Sequence, residues 1–216
     1  MGGRAGGGAN GGMGGGTREA SIEQLKNSKN FWINAGMNRY DAEKNDGRWD
    51  FSDMRNLSEA DKTFLTAYLS NSYHEVNDAL RKGEMNGEMK AMVKGIDKAV
   101  GKLDKYEGTV YRGVKFQYGG TRKENAKAYS DLLAHYKSNV GKVVTEKTYL
   151  STGKVKSLID RKFTSSDHPS IKFTIKSKTG RNVSHYNSEE KEIVFGRNTK
   201  FKVVSVKGNH VSLSEI

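Results

Sequence analysis

The sequence predicts an α+β domain in which helices come first and a mostly antiparallel set of strands follows. Three observations carry that prediction. Apolar residues recur at helical spacing from Ser58 to Gly83 and again from Glu88 to Leu103. From Gly108 onward the period drops to two, and short alternating segments continue to the C-terminus. The length, 216 residues, suits one domain large enough for a real core.

Residues 1–16, MGGRAGGGANGGMGGG, are so rich in glycine that ordering them would cost more backbone entropy than they can recover, so they read as a disordered tail. A phosphate-binding glycine loop would need a strand before it, and none precedes this one. Residues 17–56 read as an extension packed on the domain, with a short helix over Ser21–Lys29. In it Phe31, Trp32, Trp49 and Phe51 are expected as aromatic anchors between polar turns. The main domain spans 57–216. Ser58 can cap its first helix with Asp61 in capping-box position, and Gly83 ends it. Met89, Met92, Val93, Ile96, Val100 and Leu103 line the buried side of the second.

The strand GTVYRGVKF, 108–116, places Val110, Arg112, Val114 and Phe116 on one face. An arginine there must find an anionic partner or reach solvent. A helix over 123–137, strands at 142–145 and 148–152, a short helix at 155–161 and strands at 171–176, 201–206 and 210–213 complete the expectation. Before the last two strands lies Glu190-Lys191-Glu192. In an extended chain the two carboxylates project together, repel, and push one pKa from its ordinary value.

Lysine and arginine number 37 against 25 acidic residues, a formal charge of +12 that favours anionic ligands. There is no cysteine, which excludes disulfides and thiolate chemistry. No apolar run approaches the roughly 20 residues that span a bilayer, and the first residues lack the apolar segment of a signal peptide. The five histidines show no metal-ligand spacing, so no metal is expected.

LSEADKTFLTAYLSNSYHEVNDALRKG (57–83), then VYRGV, YLSTG and EEKEIVF in that order, resembles the R-S-E class of mono-ADP-ribosyltransferase exoenzymes, which includes the enzymatic components of clostridial binary toxins. The resemblance implies a split antiparallel β-sandwich with flanking N-terminal helices and NAD in the cleft. It implies that Arg112 grips an NAD phosphate, that Gly113 lets the backbone approach the nicotinamide amide, and that Gln117 adds an NAD contact. Ser151 and Thr152 match the first two residues of a Ser-Thr-Ser strand whose serine orients the catalytic glutamate. Glu192 matches that glutamate, and Glu190 the residue two before it. Glu-x-Glu resembles the arginine-modifying branch, so the expected acceptor is an arginine of a target protein. Tyr68, Tyr73 and Asn77 match positions on the first helix that line the NAD site. On a regular helix, at about 100° per residue, the two tyrosines stand roughly 140° apart, whereas Tyr73 and Asn77 share a face.

Two departures stand out. Gly153 replaces the last serine of Ser-Thr-Ser, and His168 stands where the toxins often carry a phosphate-holding arginine, a role left to Arg161 or Lys162. The class suits a secreted or injected effector or a bacteriophage virion component. The rival readings are an NAD glycohydrolase, a degenerate binding protein of the same fold, and a basic nucleic-acid-binding protein; the last is not favoured, because no binding motif or aromatic-basic stripe accompanies the charge.

Overall fold

The structure is a computed structural model that describes residues 20–46, 56–117, 120–164, 167–186 and 191–216. The glycine tail, Trp49, Phe51 and Glu190 lie outside the described residues.

Two helices precede the main helical pair. Helix α1 (Ile22–Lys26) starts at a capping box between Ser21 and Gln24. Helix α2 (Phe31–Asn45) starts at Asn30, whose side chain accepts from the Trp32 and Ile33 amides at 3.0 and 3.2 Å. This corrects the expectation of aromatic anchors between turns. Phe31 and Trp32 belong to the first turn of a helix and face outward, 67% and 46% exposed. Ile33, Met37 and Tyr40, at helical spacing, are its large buried apolar side chains.

The Ser58–Asp61 capping box opens α3 (Glu59–Ala67). The predicted single helix is then interrupted by a π-turn, Tyr68–Ser72, before α4 (Tyr73–Lys82) ends at Gly83 with φ 74°. Gly36 on α2 makes room for that turn: a Cβ there would stand 2.2 Å from Ser72 Oγ, which itself donates to the Trp32 carbonyl at 3.0 Å. Helix α5 (Gly87–Lys102) closes the layer. Leu25, Ile33, Met37, Leu65, Tyr68, Val76, Met92 and Ile96 form one continuous apolar cluster, so α1 and α2 share the core of α3–α5.

The strands are β1 (Lys105–Lys115), β2 (Val143–Glu146), β3 (Leu150–Gly153), β4 (Ser170–Asn182), β5 (Glu192–Phe195), β6 (Thr199–Lys207) and β7 (His210–Glu215), with α6 (Arg122–Ser138) and α7 (Lys156–Phe163) between them. Five run in the order β1-β4-β7-β6-β2; the short β3–β5 ribbon joins β1 at Tyr111 and the far end of β4 at Arg181 and Asn182. The sheet is thus split, and β1, β3, β5 and β4 close a hydrogen-bonded ring. All pairs are antiparallel except β4–β7. Strand β4 runs past its predicted end because Glu215 accepts the amides of Lys178 and Thr179, the latter at 2.8 Å, and so carries the backbone through the polar stretch beyond Lys176. Helix α6 covers one face, where Val110, Phe173, Ile175, Phe201, Val203, Val211 and Leu213 pack with Leu133.

Candidate active site

Between the helical layer and the sheet lies a cleft of about 730 Å³. Tyr68, Tyr73, Asn77, Arg112, Gly113, Gln117, Ser151, Thr152 and Glu192 all line it. They come from the helix pair, from β1 and the residues just after it, and from the β3–β5 ribbon.

Arg112 shares the inner face of β1 with Val110. Its Nη1 donates to the Ser151 carbonyl at 2.6 Å. Burial lowers its pKa from the ordinary value, while Tyr68, Glu146 and Tyr136 act in the other direction. An arginine remains charged through any such shift. The predicted need for an anion or solvent is met by a carbonyl and by the cleft.

Strand β3 pairs with β5 so that Gly153 stands opposite Glu192 and Ser151 opposite Val194. Ser151 and Glu192 are therefore diagonal neighbours on one face, within reach of a long side chain. Thr152 points the other way and donates to the Ile193 carbonyl at 2.8 Å, which ties the ribbon together. The position where Ser-Thr-Ser would carry its last hydroxyl lies directly across from Glu192. The extended-chain argument for Glu190 and Glu192 does not hold at Lys191, whose φ is 46°. A left-handed residue there breaks the alternation on which the shared face depended.

The π-turn resolves the misfit of the two tyrosines. Hydrogen bonds from i to i+5 bring residues five apart toward one another along the helix, and Tyr68 and Tyr73 both line the cleft. Tyr68 is core and site at once. It is buried, its ring lies 5.0 Å from that of Tyr149, and its hydroxyl receives a hydrogen bond from Asn77 at 3.3 Å. That hydroxyl also reaches the Ser151 side chain, and burial pushes its pKa up, so it stays protonated.

Several lining residues were not singled out from the sequence as site residues. Tyr149 donates its hydroxyl to Asp97 at 2.6 Å, and Asp97 also receives Arg197 at 2.8 Å. Its place two residues before Ser151, on the same strand alternation, is the sequence signal that could have found it. Arg81, Lys115 and Glu146 also line the cleft. His168 is exposed and does not line it, whereas Lys162 of α7 does. Among the described residues no group of three or more His, Cys, Asp or Glu is placed to hold a metal, and no helix is long and apolar enough to cross a membrane.

A helix-flanked split sheet with an arginine, a serine strand and a glutamate converging in one cleft is the arrangement of an ADP-ribosyltransferase fold. The family model described as ADP-ribosyltransferase exoenzyme matches residues 44–215, and the chain belongs to that family. It is 32% identical over 172 residues to the putative NAD(+)–arginine ADP-ribosyltransferase Mav of Mycobacterium avium (strain 104). That match covers 79% of this chain but 19% of the relative, so the chain spans about a fifth of that relative's length. Among solved structures, exoenzyme S from Pseudomonas aeruginosa, in complex with human 14-3-3 protein beta and bound to carba-NAD, superimposes with a TM-score of 0.59 at 21% identity, covering 90% of this chain and 86% of that one. The Vis toxin from Vibrio splendidus gives 0.55 at 20% identity, covering 90% and 89%. These likenesses confirm the expected fold.

Proposed function

We propose that this domain transfers ADP-ribose from NAD to an arginine of a target protein and releases nicotinamide. The observation that carries this reading is the convergence of Arg112, Ser151 and Glu192, from three separated segments, in a cleft whose volume suits a dinucleotide. The name of the Mycobacterium avium relative supports the arginine acceptor.

In this reading Arg112 holds the pyrophosphate with its forked, always-charged donors. Lys162 supplies the second cation, in place of the arginine absent at His168. Tyr68, Tyr73 and Gln117 line the bound nucleotide. Breaking the nicotinamide–ribose bond leaves positive charge on the ribose, which Glu192 stabilises as a fixed carboxylate beside the sugar. Such groups commonly contribute about 3 to 4 kcal/mol. Ser151, diagonal to Glu192, fixes its rotamer. A guanidinium nitrogen of the acceptor then bonds to the ribose carbon and loses a proton, which Glu190 accepts. The toxins among the similar structures support a secreted or injected effector.

The test is incubation of the purified domain and its Glu192→Gln and Glu190→Gln variants with labelled NAD and cell lysate. Labelled protein is expected with the wild type. Glu192→Gln should lose NAD cleavage as well, with its melting temperature nearly unchanged. Glu190→Gln should lose protein labelling yet retain slow NAD hydrolysis. Free ADP-ribose without labelled protein would make the domain a glycohydrolase; turnover retained by Glu192→Gln would refute the assignment.

A further inference from the structure

The +12 charge is not accounted for by a cleft that binds a dinucleotide, and the strand registers show where much of it is held. Across β4, β7, β6 and β2, one row reads Lys176–Ser214–Lys202–Val143. The next reads Thr174–Ser212–Ser205, and the third Lys172–His210–Lys207. Lys178 and Lys200 extend the same face by strand alternation. The intervening residues, Phe173, Ile175, Val211, Leu213, Phe201 and Val203, are the core beneath α6. The sheet is therefore apolar on one side and lysine, serine and threonine on the other, with no carboxylate in these rows. Asp160 of α7 approaches them, 3.7 Å from Lys172, and Glu215 meets the backbone amide of Lys178 from the core side. Lys176, Lys178, Lys200, Lys202 and Lys207 make no ion pair among the described residues.

We propose that this face docks the domain onto an anionic lipid bilayer. Four strands side by side make a surface about 15 Å wide. The charges are all lysines, point charges that suit a field of lipid phosphates and carboxylates; the forked arginines that recognise single nucleic-acid phosphates are absent from these rows. The aromatic ring that continues a row is Tyr111 of β1, opposite Thr174; a lone ring does not make the run of stacking platforms that a single strand of nucleic acid needs. On β2, on β6 and just after β7, Val143, Val204 and Ile216 are 49%, 53% and 56% exposed, apolar groups that can enter the headgroup layer beside the lysines. Arg112, opposite Phe173 in the register, projects from the other side of the sheet.

The experiment is co-sedimentation of the full chain with vesicles of one part phosphatidylserine to two parts phosphatidylcholine, and with phosphatidylcholine alone. Pelleting is expected with the anionic vesicles only, and it should weaken as salt is raised. Lys176→Gln/Lys202→Gln should bind roughly fivefold more weakly per lysine, about 25-fold for the pair, with melting temperature and NAD cleavage unchanged. Lys123→Gln/Lys127→Gln, the same charge change on α6, should bind nearly as the wild type does. Absence from the anionic pellet, equal pelleting with phosphatidylcholine alone, equal losses in the two double variants, or tighter binding to duplex DNA than to vesicles would each overturn the proposal. Each of these results leaves the NAD assay as it stands, so the two readings fail separately.

Discussion

Asn77 commits both ends of its carboxamide to the protein. Oδ1 accepts the Tyr149 amide at 3.2 Å, and Nδ2 lies 3.4 Å from the Tyr149 carbonyl and 3.3 Å from the Tyr68 hydroxyl. Its partners make it the clasp between α4 and the chain leading into β3, in addition to its place in the lining of the cleft. Gly113 is a parallel case. A Cβ there would stand 2.7 Å from Phe163 Cβ and 2.8 Å from the Phe163 carbonyl oxygen. The absent side chain makes room for α7, whatever it also does for a ligand. Gly113→Ala should therefore destabilise the domain by about 1–3 kcal/mol through overpacking. The check is the urea midpoint, and an unchanged midpoint would contradict the close packing. Arg112, Ser151 and Glu192 were legible in the sequence because their chemistry is tied to short motifs. The reasons for Gly113 and Asn77 were not, because Phe163 and Tyr149 are distant in the chain and only packing brings them near.

Among the elements, the π-turn does the most for the cleft. Periodicity read 58–83 as one regular helix, and the apolar stripe gives no hint of the inserted residue; the sign was the misfit between Tyr68 and Tyr73. Deleting Asn71 should restore regular helical winding and rotate α4 by about 100° relative to α3. Tyr73 and Asn77 would leave the cleft. NAD turnover should fall below detection while the far-ultraviolet circular dichroism keeps its helical signal; retained turnover would show that the turn does not place these side chains. Helix α2 was missed for a different reason. Its apolar stripe is only Ile33, Met37 and Tyr40, and two outward aromatic rings at its start masked the period. Strands β1, β4, β6 and β7 were found but cut short, β4 most of all, because the contact that carries it onward comes from Glu215 at the other end of the sheet, while β5 was read only as an extended stretch.

At the scale of the whole molecule, the helical half is one body. The family match begins at residue 44, yet the apolar cluster begins at Leu25. Removal of residues 1–56 should uncover Leu65, Tyr68 and Met92 and abolish a cooperative melt; a truncated domain melting near the full-length temperature would show that α1 and α2 are dispensable. The α+β order of elements was readable in advance, since local periodicity marks each element. The split of the sheet was readable from the family resemblance and not from periodicity, since it is set by pairings such as Val110 with Ile175 and Gly153 with Glu192. Those pairings have a consequence in time. The ring of β1, β3, β5 and β4 is made of contacts remote in sequence, the kind that form late in folding. Helices can be present while Arg112, Ser151 and Glu192 still lie on three unconnected stretches of chain. For the whole of that search the protein has no means of reading NAD, and a newly made or freshly unfolded chain is chemically silent until its last strands join.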